Sequence, residues 1–355
     1  MKSLRILLCG VCSGAFVLAL SACGGSGGGS PAMQNTPIPT PLPSVSPPNR
    51  MYVEYGTASG HALVQYKLPL GAASLPQAIL QQDMFVNANP YAVDLSSGTL
   101  AIAPSVDNPG DGLRIYRPPL TASQNPNVVI PSGPATLPSG ATAAVFDPLG
   151  NLWLSTQLDI REFTTPFSST EVASTIQSNY TFPNLEIDNG GSLYGITTPL
   201  NVFAPLDAPV TFAYTKPPKK IAGMVQFVSP LAFDQFGNAL AAYQIVATGP
   251  TPLPSPFPVP TAGLGVFPLP ITQDGLPNLV IPLPGSGQVQ PSLDGSIGTD
   301  ESNLYIGDST DGSIYAYPLP LSSGFPAFRI ACPAQLAPCT LPIANQPNAV
   351  FQYGP

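Results

Sequence analysis

Ala144-Val-Phe-Asp147-Pro-Leu-Gly-Asn151-Leu-Trp-Leu154, read with the segment that follows it, Ile160-Arg-Glu-Phe163-Thr-Thr-Pro-Phe167, decides the fold. The first part is an apolar run, an acid, a turn and a second apolar run, which is the composition of a β-hairpin. Glycine in the turn supplies the positive φ that a tight connection requires. The arrangement recurs as Tyr91-Ala-Val-Asp94 with Thr99-Leu-Ala-Ile102, Leu185-Glu-Ile-Asp188 with Ser192-Leu-Tyr194, Leu231-Ala-Phe-Asp234 with Asn238-Ala-Leu240, and Ile297-Gly-Thr-Asp300 with Asn303-Leu-Tyr-Ile306. The second part is a strand with an aromatic residue and a proline-bearing exit. Its aromatics are Tyr66, Tyr116, Phe163, Phe203, Phe267 and Tyr317, at intervals of 40 to 64 residues. Proline ends such a strand because it cannot donate to the ladder.

A period of this length fits four-stranded blades set around an axis, so the chain reads as an all-β, six-bladed β-propeller. The aromatic strand has one more copy than the acidic hairpin. Leu63-Val-Gln-Tyr66 has no hairpin before it, whereas Pro347-Asn-Ala-Val-Phe-Gln-Tyr353 matches Pro90-Tyr-Ala-Val-Asp94 without its acid. The C-terminal strand is therefore expected to complete the first blade, as the innermost strand beside Met51–Tyr55, His61–Leu70 and Gln77–Leu80. Closure of this kind removes the exposed strand edges between first and last blades. At the level of architecture the body, residues 50–355, resembles the NHL-repeat and SMP-30-like group. It has neither the Trp-Asp repeat of WD40 propellers nor the paired glycines of kelch blades. The long Asp234 to Asp300 interval is read as an insertion, since Gly249-Pro-Thr-Pro-Leu-Pro-Ser-Pro-Phe-Pro-Val-Pro260 leaves no room for strand pairing.

Composition agrees with an uncharged, loop-rich β body. Only 8% of the 355 residues are charged, against 44% hydrophobic, and 47 prolines with 33 glycines disfavour long helices. Eleven basic and 19 acidic residues give a net charge of -8, which offers nucleic-acid phosphates no attraction.

The N-terminus carries an address. Lys2 and Arg5 precede an apolar stretch, Ile6–Leu20, of the length of a secretory h-region, and Leu20-Ser21-Ala22-Cys23 closes it. That tetrapeptide resembles the lipobox of bacterial lipoprotein signal peptides. The resemblance implies residues 1–22 as a cleaved signal and Cys23 as the acylated first residue of the mature chain. Residues 23–49, Gly/Ser-rich and then Pro-rich, form a tether that is flexible first and extended after. Several acyl chains on one cysteine suffice for stable anchoring. Loss of Lys2 and Arg5 takes the net charge to -10, so lipid and not charge must hold the protein to a membrane. Gly24 stands where lipoproteins retained at the inner membrane carry aspartate. The expected address is therefore the cell envelope, at the outer membrane where the cell has one. Cys9 and Cys12 leave with the signal, and the remaining pair, Cys332 and Cys339, is expected to form a short-loop disulfide in an oxidising compartment, rigidifying a surface loop.

Candidate chemistry is sparse. Asp94, Asp147, Asp188, Asp234 and Asp300 end innermost strands, where they could gather round a channel and hold Ca²⁺ or another divalent cation through oxygen. The simpler role is acceptance of turn amides, repeated once per blade. Asp107-Asn-Pro-Gly-Asp111 and Asp308-Ser-Thr-Asp311 read as turns too, since neither has the length of an EF-hand loop. His61, the single histidine, reads as a solvated turn residue. Trp153 and the aromatic row read as blade packing, and Lys216-Pro-Pro-Lys219-Lys220 as a solvated loop. Glu186 and Asn184 are the unrepeated polar groups near a channel mouth. The expectation is a monomeric, lipid-anchored binding or scaffold module, with a protein or carbohydrate ligand on one face and recognition carried by loops such as 245–262. No cofactor is required. The alternative is a metal-dependent, lactonase-like hydrolase or a lyase using Glu186, Asp188 and Asp234.

Overall fold

Strand pairing follows the repeat. A computed structural model describes residues 49–354 apart from the stretches 81–89, 207–224, 246–261, 270–276, 282–296 and 342–350 and some shorter ones. The lipobox with Cys23, the tether, the proline-rich insertion and the Lys216–Lys220 segment lie outside the described residues.

The first sheet begins with β1 (Arg50–Thr57), β2 (Gly60–Lys67) and β3 (Ala78–Leu80). The second is β4 (Tyr91–Val93), β5 (Leu100–Ile102), β6 (Leu113–Tyr116) and β7 (Val128–Ile130). The third is β8 (Ala143–Phe146), β9 (Leu152–Ser155), β10 (Asp159–Phe163) and β11 (Ser174–Gln177). The fourth shows β12 (Asn184–Ile187), β13 (Leu193–Thr197) and β14 (Asn201–Leu206). The fifth holds β15 (Val225–Phe227), β16 (Ala232–Phe233), β17 (Asn238–Ile245), β18 (Ala262–Pro268) and β19 (Leu279–Ile281). The sixth is β20 (Ile297–Thr299), β21 (Asn303–Gly307), β22 (Ile314–Pro318) and β23 (Phe328–Ile330). The chain then returns to the first sheet with β24 (Cys339–Thr340) and β25 (Phe351–Gly354).

Every pairing within these sheets is antiparallel and joins strands in meander order, apart from the returns to β1 and the split inner edge of the fifth sheet. Innermost strands touch in succession: β25 meets β4, β4 meets β8, β8 meets β12, β16 meets β20, and β20 meets β25, while β14 meets β15 between the fourth and fifth sheets. The body is an all-β propeller. Side chains alternate between the two faces of each strand, so each sheet packs on both neighbours. The first seam holds Tyr52, Leu63, Tyr91 and Tyr116, and the second holds Ala92, Ile115, Phe146 and Phe163, all buried. Burial of each such large side chain contributes roughly 1.5–3 kcal/mol. Tyr66, Tyr116, Phe163, Phe267 and Tyr317, five aromatics of the repeat, are buried in this way.

Ring closure is double. Arg50, Met51, Tyr52 and Val53 pair with Gly354, Tyr353, Gln352 and Phe351. Farther along the same edge, Gly56 and Thr57 pair with Thr340 and Cys339. The Cys332–Cys339 bridge forms, and the loop it closes is largely exposed, with Ala334, Gln335, Ala337 and Pro338 at the surface. Cys339 is buried in a strand, in a core cluster with Val53, Tyr55, Tyr305 and Ile330, and Cys332 packs against that cluster just after β23. The bridge therefore staples the exit of the sixth sheet to the edge of the first. The seam is tight enough that a Cβ on Gly312 would come within 2.7 Å of the Cys339 carbonyl oxygen, and Gly312 has φ +68° as well.

The expected hairpin of the fifth sheet forms, with β16 pairing Ala239–Leu240, and β15 adds a second segment on the same edge, pairing Tyr243–Ile245.

Replacing both cysteines, Cys332→Ser with Cys339→Ser, should lower stability by about 2–3 kcal/mol, the chain-entropy value for so short a loop. Hydrogen exchange should quicken in β1 and β24 before it does in β8–β10. Uniform loss of protection across all sheets would contradict a local staple.

Candidate functional site

The hairpin aspartates are held by their own turns. Asp147 Oδ1 accepts the Leu149 and Asn151 amides at 2.9 and 2.8 Å, and Oδ2 accepts Asn151 Nδ2 at 3.0 Å and Trp153 Nε1 at 3.1 Å. Asp234 accepts the amides of Phe236 and Asn238 and the Asn238 side chain. Asp188 takes the Ser192 amide and the Tyr194 hydroxyl, Asp300 the Ser302 and Asn303 amides and the Tyr305 hydroxyl, and Asp94 the Ser96 amide with the Ser96 and Ser97 hydroxyls. Positive φ at Gly98, Gly150, Gly191 and Gly237 closes four of these turns. One carboxylate thus satisfies several donors that a tight hairpin would otherwise leave unpaired. Among the described residues no three His, Cys, Asp or Glu side chains gather in a way that would hold a metal ion.

Of the three acids singled out near a channel mouth, Asp188 and Asp234 lie in those turns. Glu186 stands apart, in mid-strand on β12 and opposite Tyr194 of β13. Burial pushes its carboxyl up to about 8. Asn184, two residues earlier, is buried.

His61 corrects the reading of a solvated turn residue. Its Nδ1 lies 2.8 Å from Oε1 of Glu54, whose side chain is fully buried, while the imidazole is 23% exposed. The bond to Glu54 raises the His61 pKa against the opposing effect of burial, and burial raises that of Glu54. Charge at position 54, within the apolar run Met51–Tyr55, was the available signal, since a carboxylate in a core strand demands a partner. The β1–β2 register sets Glu54 across from Leu63 and Gly56 across from His61, so the pair is a diagonal one.

A second buried pair joins Arg161 to Asp159, with Nη2 to Oδ2 at 2.8 Å and Nε to Oδ1 at 3.1 Å. Arg161 Nη1 also donates to the Pro134 and Thr136 carbonyls, tying the segment after β7 to the third sheet.

The turns of the second and third sheets enclose a cleft of about 390 Å³. Asp94, Ser96, Ser97, Thr99 and Arg117 give it a polar wall, and Pro118, Leu149, Pro166 and Phe167 an apolar one. That volume falls in the range of small-molecule sites.

No protein-family model and no curated protein matches the chain. Among solved structures, a chain of the nidogen/laminin complex aligns at 12% identity and a TM-score of 0.47, covering 83% of this chain and 99% of that one. A Xanthomonas campestris gluconolactonase aligns at 10% identity and a TM-score of 0.41, with 83% and 90% coverage. A protein of unknown function from Desulfotomaculum acetoxidans aligns at 10% and 0.41, with 85% and 89%. Likeness at this level carries no argument about chemistry, and the fold rests on the strand pairings above.

Two outcomes follow from the turn and titration chemistry. Asp147→Ala should cost about 1–3 kcal/mol by orphaning several donors. It should also shift the fluorescence of Trp153, the single tryptophan, while added Ca²⁺ leaves the wild-type Tm unchanged. Stabilisation by Ca²⁺ that Asp147→Ala abolishes would mean the turn holds an ion. The second outcome concerns pH. Glu162 is pushed up to about 7 by burial and then by the charges of Asp147 and Glu171. A carboxyl with a raised folded pKa contributes stability that is complete below its unfolded value, near 4.5, and is lost as pH rises through the folded one. Raised His61 acts in the same sense. The Tm should therefore fall between pH 5 and pH 8.5, and Glu162→Gln should flatten that fall; a Tm that climbs over this range contradicts the assignment.

Proposed function

We propose that this chain is an extracytoplasmic, lipid-anchored, six-bladed propeller that serves as a binding module. The observation that carries the reading is the state of the repeated acids: all five are engaged in holding hairpin turns, so the repeat builds a rigid frame and leaves ligand recognition to features that are not repeated. The cleft beside Arg117 lies between two of these turns, and the side chains that the frame presents there, hydroxyl on one wall and apolar on the other, leave room for a small ligand. Its chemistry suits a saccharide, whose hydroxyls exchange hydrogen bonds with Ser and Thr and whose carbon face packs on Pro and Phe. The buried disulfide and the lipobox support an oxidising, membrane-tethered setting. Gly24 supports the outer membrane as the destination.

Anchoring and binding are tested separately. Metabolic labelling with an alkyne palmitate should mark the wild-type protein and not Cys23→Ala, which should accumulate in its unprocessed form; equal labelling of both would remove the anchor assignment. Purified mature protein in non-ionic detergent should gain Tm with members of a saccharide panel, and Arg117→Ala with Ser97→Ala should lose that gain. Turnover of lactones abolished by Glu186→Gln would replace the binding reading with a hydrolase.

A further inference from the structure

Two residues before each hairpin aspartate, the innermost strand points toward the next sheet, and the side chains there are Ala92, Val145, Glu186, Ala232 and Gly298. Ala92 lies in the core cluster shared with the third sheet, Val145 packs on the one shared with the fourth, and Ala232 lies in the one shared with the sixth. Four of the five copies are small and apolar, and the fourth sheet alone places a carboxyl group there. Leu185, Leu193 and Ile187 face back to the third sheet. By alternation Glu186 and its direct partner Tyr194 face forward to the fifth. There the Tyr194 ring meets Phe233 of β16, with centroids 5.2 Å apart and planes inclined by 38°. Glu186 and Phe233 are half-buried and Tyr194 is buried. Among the described residues no hydrogen bond or ion pair reaches the Glu186 carboxyl.

We propose that this corner, formed by Glu186, Tyr194 and Phe233, is a binding site for an organic ammonium cation. The proposal rests on the reading of the propeller as a binding module and names a ligand class for one of its unrepeated features. A carboxylate supplies the counter-charge, and aromatic rings attract a large, weakly hydrated cation through their negative faces. A divalent metal wants six or more oxygen ligands, which one carboxylate does not provide. An anion would be repelled, and a neutral apolar guest would leave the carboxyl unpaired.

Protonation links the site to pH. Without a guest, desolvation holds Glu186 near 8, so a proton occupies it at neutral pH. A cation that arrives displaces that proton and draws the carboxyl toward its ionised form. Among the described residues the charged groups near the corner are Glu186 itself, Asp188 and Asp234, and both aspartates are held by hydrogen bonds from their own turns. Tyr194 on β13 is raised above its ordinary range by burial and donates to Asp188 at 3.2 Å. Strand β16 presents Phe233, whereas Val145 of β8 and Trp153 of β9 pack on the opposite face of β12 with Leu185 and Leu193. Asp147, beyond the end of β8, accepts the Trp153 indole.

The probe is benzyltrimethylammonium, whose charge does not change with pH, titrated calorimetrically into the mature lipoprotein in non-ionic detergent at pH 6 and pH 9. Affinity should rise on the order of ninetyfold, because the ionised fraction of a group near 8 grows from about one in a hundred to about nine in ten. Glu186→Gln should reduce the pH 9 affinity to the pH 6 level and abolish the pH dependence. Phe233→Leu should weaken binding several-fold with the Tm of the protein retained. Absence of binding at pH 9, an unchanged affinity in Glu186→Gln, or displacement of the probe by equimolar Ca²⁺ would overturn the proposal. If the probe fails while a saccharide still raises the Tm, the ammonium assignment falls alone; if neither has an effect, the binding reading falls with it.

Discussion

The inner edge of β1 is the constraint on which the structure depends. A row of unpaired amides and carbonyls there would leave the first sheet open on the side where the ring must close. Two distant segments share the edge: β25 covers Arg50–Val53 and β24 covers Gly56–Thr57. Main-chain bonds supply register, and the buried bridge from Cys332 to Cys339 fixes the second segment against the sheet that precedes it. Once that seam is shut, every sheet has two neighbours and each apolar face has a partner.

Much of this was legible in the chain because each hairpin repeats the same local problem. A tight two-strand turn needs acceptors for its amides and a residue tolerant of positive φ, and Asp with Gly meets both needs at Asp147–Gly150 and Asp234–Gly237. The aromatic strand was equally plain, since residues such as Tyr116 and Phe163 recur at one depth in the seams. Counting one more copy of this strand than of the hairpin was enough to predict that β25 joins β1.

What escaped the sequence depends on contacts made across it. Cys339 reads as one end of a short surface loop, and its pairing with Thr57 is what carries it into the core. His61 opens a strand beside a turn, yet the diagonal geometry of β1 and β2 delivers it to Glu54. The split inner edge of the fifth sheet has no periodic signature, because β15 and β16 are short segments that pair with different parts of β17. Glu186 was visible as a departure from the repeat, but its meaning came from knowing which face of β12 looks toward Phe233.

Pairing of β25 with β1 also sets an order of events during synthesis. A polypeptide made N-terminus first presents β1 early and β25 late, so the opening sheet must wait, incomplete, for the strands between them. Any product cut short before β25 retains a bare strand edge and is prone to pair with another chain. That dependence makes the arrival of β25 a condition of solubility, so one short strand decides whether the edge of β1 is sealed or adhesive.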